Sequence, residues 1–319
     1  MALHIVRFNH AQLSTQWGIL NQDQITILDL EALTTAELIE HGYATLQRLS
    51  LESKRTIAMD KVQFLSPVTS PSQVICQGAN YRQHMIDSGM DPDAKTFNML
   101  FTKSVASITN PIGTIIKPKH VQLLDYEIEL TLVLGKDTNN NVQVYDGNLH
   151  EYVAGICIGN DISARDVQIP EMQFYKGKSY RTFCPLGPVL CLLDKDEIHY
   201  LNEMELVLKV NGEIRQKDSS ANLVYKPAET LTEFSTLTNF SVGDLLMTGT
   251  PSGCALGLPP PSVVRMTSLL PEQLKWKLFI NSQAKRSQYL KVGDVIESSI
   301  VSKDGKIQLG CQRHVVESD

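Results

Sequence analysis

Over the first sixty residues, apolar and polar positions alternate in three short runs, 4–8, 16–20 and 24–28, as in half-buried strands. One stretch, 35–48, repeats its apolar positions at helical spacing, so this end of the chain is expected to form a small α+β module. The segment Leu65-Ser66-Pro67-Val68-Thr69-Ser70-Pro71-Ser72 is rich in Pro and Ser and breaks both periodicities. A boundary there separates a small N-terminal domain with its linker, 1–70, from a larger domain, 71–319. In the larger part the pattern predicts strands over 74–77, 126–134, 152–160, 186–193, 205–211, 245–248, 295–300 and 307–311, separated by Gly-containing turns. Few long helical periodicities lie between them, which favours a β-rich roll or barrel over a doubly wound parallel sheet. The expected fold class is α+β, mostly β. Two Val-Gly-Asp turns, at 242–244 and 292–294, do not make a repeat, and Pro259-Pro260-Pro261 is the one low-complexity tract.

Composition narrows the function classes. With 319 residues, 42% hydrophobic and 20% charged, the chain has ordinary globular usage and enough length for a sizeable core. A net charge of -6 argues against a sequence-independent grip on phosphates, so nucleic acid is not an expected partner. The six cysteines, at 76, 157, 184, 191, 254 and 311, form no CxxC pair and several sit in apolar runs. They are expected to be small buried hydrophobes in a reducing compartment. No secretory signal is visible at the N-terminal end, and the longest apolar run, 189–193, falls far short of the ~20 residues of a membrane helix. A cytoplasmic enzyme is the expectation.

Four segments carry candidate chemistry. In Asp125-Tyr126-Glu127-Ile128-Glu129-Leu130, strand alternation would place Asp125, Glu127 and Glu129 on one face, with neighbours about 7 Å apart. Such a row repels itself unless a cation lies among the carboxylates; a hard divalent ion suits all-oxygen ligands, while a solvated edge strand is the alternative. In the second segment, an apolar run ending in Asn160-Asp161 would deliver Asp161 at a strand end, or would simply cap the next turn. Third, His84 and Asp87 are spaced i, i+3, so a short helix would put an imidazole beside a carboxylate able to orient it as a base. Such a pair also occurs on ordinary helix surfaces. Fourth, Lys178 could stabilise a developing enolate, and the turn Thr248-Gly249-Thr250-Pro251-Ser252-Gly253 could hold a carboxylate. Neither phosphate-loop pattern, GxxxxGK[ST] or GxGxxG, is present.

In this order the segments resemble the fumarylacetoacetate hydrolase family over about 72–301. The Glu127-Ile128-Glu129 run is similar to the family's ExE metal motif, and Asn160-Asp161 with Ala164-Arg165-Asp166-Val167-Gln168 is similar to its third-ligand segment. The resemblance implies a mixed β-sandwich roll that forms a homodimer. It implies Mg2+, or Mn2+ or Ca2+, on Glu127, Glu129 and Asp161, with Asp125 as a neighbour of the ligands. By the same resemblance Arg165, Gln168, Lys178 and Thr250 contact substrate, and His84 with Asp87 forms a water-activating pair on a mobile lid over 78–89. The family's lid usually carries Glu where this chain has Asp87, and the stretch 258–289 is longer than the usual connection.

The activity so implied is hydrolysis of a carbon–carbon bond in a 1,3-diketo acid of the acylpyruvate or fumarylacetoacetate type, with a place in aromatic-compound catabolism. His84 would activate water, and Lys178 would hold the expelled enolate. The alternative is a decarboxylase or isomerase of 2-oxo acids, which passes through the same enolate without an attacking water. A non-catalytic, metal-stabilised module is a third reading. A serine hydrolase lacks its GxSxG elbow.

Overall fold

A computed structural model of the chain describes residues 2–11, 13–257 and 261–319. Among these residues the architecture is α+β and mostly β. One sheet of eleven strands runs through the molecule, and its centre is Ile128–Leu134 between Val153–Asn160 and Leu245–Met247. Ile128–Leu134 is buried at every position, as a strand covered on both faces must be. Val74–Gly78 and Met99–Lys103 extend the sheet on one side. On the other side Val189–Leu192 pairs with Leu3–His10, so the N-terminal strands add to the same sheet.

A second sheet, in the order Glu213–Ser219, Met204–Val210, Val295–Ser302, Gln308–Ser318 and Ile112–Lys117, packs against the central strands. Met204–Val210 and Val295–Ser302 alternate buried with exposed or half-buried positions, which directs one face inward. Leu206, Leu208, Ile296 and Ile300 thereby join Leu130, Leu132, Ile156 and Ile158 in the larger core cluster. Gln312 Nε2 donates to Ile158 O and Pro185 O, both at 3.1 Å, and ties the layers together.

Among the described residues several strands have no counterpart in the predicted pattern, the longest being Met99–Lys103, Ile112–Lys117 and Glu213–Ser219. The expected helix over 35–48 is two helices, Thr35–Glu40 and Tyr43–Glu52, the first closed by a Thr34 and Glu37 capping box. Cys76, Cys157, Cys184, Cys191 and Cys254 are buried free thiols, while Cys311 is exposed. Among the described residues no helix is long and apolar enough to cross a membrane. Pro259 and Pro260 lie outside the described residues. Beyond them the long connection forms two helices, Pro261–Thr267 and Glu272–Gln283.

Candidate active site

The acidic segment is two strands with a break, not the single strand that alternation suggests. Leu124–Asp125 pairs with Ser163–Ala164, whereas Ile128–Leu134 pairs with Val153–Asn160. At the break Asp125 Oδ1 accepts the N–H of its own neighbour Tyr126 at 2.8 Å, a local bond that competes with the sheet ladder. Asp125 therefore leaves the face it was expected to share with Glu127 and Glu129. Its carboxylate takes Arg165 Nε at 2.9 Å and the Ala255 and Leu256 N–H groups at 2.7 and 3.0 Å.

Sheet register assembles the rest. Ile128 pairs with Asn160, and the Asp161 N–H donates to Glu127 O at 2.8 Å, so the end of one strand lies against the start of the other. Glu127, Glu129 and Asp161 each present a carboxylate oxygen, and these oxygens lie within 4.8 Å of one another. All three residues are buried. Three cations surround them. Lys178 Nζ donates to Glu127 Oε2 at 2.8 Å, Asp161 Oδ2 at 2.6 Å and Ser163 Oγ at 2.8 Å. Arg165 spans Asp125 and Glu127 and donates to Gln168 Oε1 at 2.8 Å. Lys103, fully buried, pairs with Asp161 and donates to Phe183 O at 2.8 Å.

The electrostatics leave room for more positive charge. Burial alone would raise the Glu127 carboxyl, but Arg165 and Lys178 outweigh it and hold it below the ordinary range. Lys178 shows the mirror image: burial would lower it, and Asp161 and Glu127 raise it instead. Glu129 receives one backbone hydrogen bond, from the Gly249 N–H at 2.9 Å, and no side-chain cation bonds to it among the described residues. Burial first, then the like charges of Asp161 and Glu127, push its carboxyl well above the ordinary range. Four buried carboxylates facing three cations, with an all-oxygen donor set, suit a hard divalent ion of the Mg2+, Mn2+ or Ca2+ kind.

Gly249 is at φ +91°, and a Cβ there would sit 2.9 Å from Asn80 Cβ; only glycine lets its N–H reach Glu129 in this turn. The same turn carries Thr250, whose hydroxyl donates to Ile128 O at 2.9 Å and accepts from Gln216 Nε2 at 2.8 Å. Above the triad lies a cavity of about 600 Å³ lined by His84, Asp87, Glu127, Arg165, Gln168, Lys178 and Thr250 among others. The helix Arg82–Asp87 contributes His84 and Asp87 to its wall. Asn80 anchors the start of that helix through Tyr225 and Thr248, and Ser252 Oγ donates to Asp87 at its end. No hydrogen bond joins His84 to Asp87; the Asp87 carboxylate is taken by Ser252 and by Gln83 Nε2, the latter at 2.9 Å. Burial lowers the His84 imidazole below its ordinary value, with Glu127 opposing.

Three participants escape the sequence patterns. Lys103 ends a short strand in which nothing distinguishes it from a surface lysine. Gln216 lies on Glu213–Ser219, whose polar sequence hides a strand, yet its amide also accepts the Ile128 N–H at 3.0 Å. Arg286, in the long connection, lines the cavity.

The comparisons with known proteins agree with this geometry. A family model described as "Fumarylacetoacetate (FAA) hydrolase C-terminal" matches residues 73–317. Oxaloacetate tautomerase YisK of Bacillus subtilis is 37% identical over 212 residues, 65% of this chain and 68% of that protein. The bovine mitochondrial oxaloacetate tautomerase FAHD2A is 33% identical over 246 residues, 74% of this chain and 76% of its own. Among solved structures, a probable 2-hydroxyhepta-2,4-diene-1,7-dioate isomerase from Mycobacterium abscessus superposes with TM-score 0.75 at 29% identity, covering 100% of this chain and 99% of that one. Fumarylacetoacetate hydrolase from Exiguobacterium antarcticum does so with TM-score 0.74 at 28% identity, covering 99% of this chain and 100% of its own. The relatives above 30% identity named here are tautomerases, which overturns the expected carbon–carbon hydrolase in favour of the isomerase or decarboxylase alternative. The chain belongs to the fumarylacetoacetate hydrolase family.

Proposed function

We propose that this protein is a divalent-metal-dependent keto–enol tautomerase of a small 2-oxo acid, with oxaloacetate the first compound to test. The observation that carries the reading is the cluster of Glu127, Glu129 and Asp161 carboxylate oxygens, within 4.8 Å of one another, beside the cavity that Glu127 lines together with Lys178 and His84. Tautomerisation moves one proton between C3 and the oxygen on C2. Held by Glu127, Glu129 and Asp161, Mg2+ or a similar ion would polarise the 2-oxo group and lower the cost of enolate charge. Lys178, whose three N–H groups bond Glu127, Asp161 and Ser163, would set a fixed positive charge beside the developing enolate oxygen. The proton acceptor at C3 is then His84, whose burial favours the neutral imidazole. Arg165 and Gln168, bonded to one another, present further donors to the substrate carboxylate. The homodimer implied by the family belongs to this proposal, and sedimentation tests it.

The test is the decay of enol absorbance after oxaloacetate is dissolved in its enol form, with Mg2+ and with EDTA, while pyruvate is assayed in parallel. Metal-dependent acceleration without pyruvate supports the tautomerase. Pyruvate released in step with the decay would assign decarboxylation instead, and unaccelerated decay would remove both.

A further inference from the structure

Three fixed cations line the cavity: Arg165, Lys178 and Arg286. The first two are committed to Asp125, Glu127 and Asp161. Arg286 Nε donates to Ala255 O at 2.8 Å, and among the described residues Arg286 forms no ion pair and its terminal nitrogens have no hydrogen-bond partner. The position is nevertheless built. The Gln283 amide clamps the backbone of Gly257, accepting its N–H at 3.2 Å and donating to its carbonyl at 2.7 Å, and Tyr289 donates to the same amide at 2.9 Å. The Arg286 N–H then bonds to Gln283 O at 2.9 Å. The guanidinium lies on bare backbone: a Cβ at Gly257 would fall 2.4 Å from Nη1 and 2.6 Å from Cζ. One loop joins this point to the triad, since Gly249 bonds Glu129, Cys254 Sγ lies 3.8 Å from Glu127 Oε1, and Ala255 holds Arg286.

We propose that Arg286 binds the distal carboxylate of the substrate, so that the cavity selects short dicarboxylic 2-oxo acids over monocarboxylic ones of the same size. The identity of the head group rests on the tautomerase reading; the charge selection does not. A guanidinium with two unpaired terminal nitrogens, held flat by its own Nε bond, matches a carboxylate bidentately. An unpaired cation facing a cavity is otherwise without a counter-charge.

The test uses non-reacting 2-hydroxy acids and calorimetry in Mg2+. Wild type should bind malate about 10- to 100-fold more tightly than 2-hydroxybutyrate, the range of one charge-assisted contact. Arg286→Gln should remove that preference while leaving 2-hydroxybutyrate affinity within about twofold, which also shows that the variant is folded. Gly257→Ala, which displaces the guanidinium without touching its charge, should remove it too. Equal affinity of wild type for the two acids, or a preference that survives Arg286→Gln, would overturn the subsite whatever the tautomerase assay shows. A preference lost in Arg286→Gln, in an enzyme that does not tautomerise oxaloacetate, would keep the subsite and discard the tautomerase.

Discussion

Lys178 Nζ lies 2.6 Å from Asp161 Oδ2, with both side chains withdrawn from water. The same ammonium bonds to Glu127, so it draws two members of the acidic triad together. Breaking a buried pair on one side costs about 3–5 kcal/mol, because the stranded carboxylate keeps its desolvation penalty. Lys178→Met should therefore lower stability in EDTA by that order, and Mg2+ should restore part of it by binding the folded state. Thermal melts in EDTA and in Mg2+ read this directly. Loss of the positive charge beside the enolate should slow oxaloacetate tautomerisation about 100- to 1,000-fold.

Gly249→Ala should act on the opposite side of the triad. The substitution puts a Cβ at φ +91° against Asn80 and shifts the N–H that Glu129 accepts. Backbone strain of this kind costs about 1–3 kcal/mol. A lowered urea midpoint together with weaker Mg2+ binding in calorimetry is expected; a stability loss with unchanged Mg2+ affinity would separate the turn from the triad.

Asp125 anchors, and does not ligate, in this account. Asp125→Asn removes the charge facing Arg165 and one acceptor for the Ala255 and Leu256 N–H groups, so it should cost about 1–3 kcal/mol. Mg2+ affinity should stay close to wild type. A collapse of Mg2+ binding in Asp125→Asn would make the residue a ligand.

The acid side of the stability profile follows from buried histidines. His314 is 1% exposed, its Nε2 bonds to Asn110 O at 2.9 Å, and burial lowers its pKa below the ordinary imidazole value. The unfolded chain takes a proton at about pH 6.5, whereas the folded chain resists it. The contribution is thus fully present above about pH 6.5 and is lost as pH falls through the lowered folded value. His84 and His4 shift the same way. Urea midpoints should fall as pH drops below about 6.5, and His314→Gln should flatten that fall.

Much of the candidate site was legible because its proposed ligands sit at or just beside the ends of two paired strands. Glu127-Ile128-Glu129 and Asn160-Asp161 need only one antiparallel register to meet, and Ile128 opposite Asn160 is that register. The break at Tyr126–Glu127 was not legible, because Asp-Tyr-Glu-Ile-Glu alternates whether or not Asp125 bonds to its own neighbour. Lys103 and Gln216 were hidden by strands too short or too polar to show a period, although both are buried against the site. Arg286 reaches the cavity only through the clamp of Gln283 on Gly257, a contact between segments that no local pattern connects.

The central claim is that the buried carboxylates hold the ion on which enolisation depends. Its most direct test is to titrate Mg2+ into EDTA-stripped wild type and Glu129→Gln side by side while following the decay of enol oxaloacetate. The account predicts a saturating rise for wild type, and for Glu129→Gln a rise that is absent or displaced to much higher Mg2+. Wild-type acceleration that is already complete in EDTA, or titration curves that coincide for the two proteins, would contradict it.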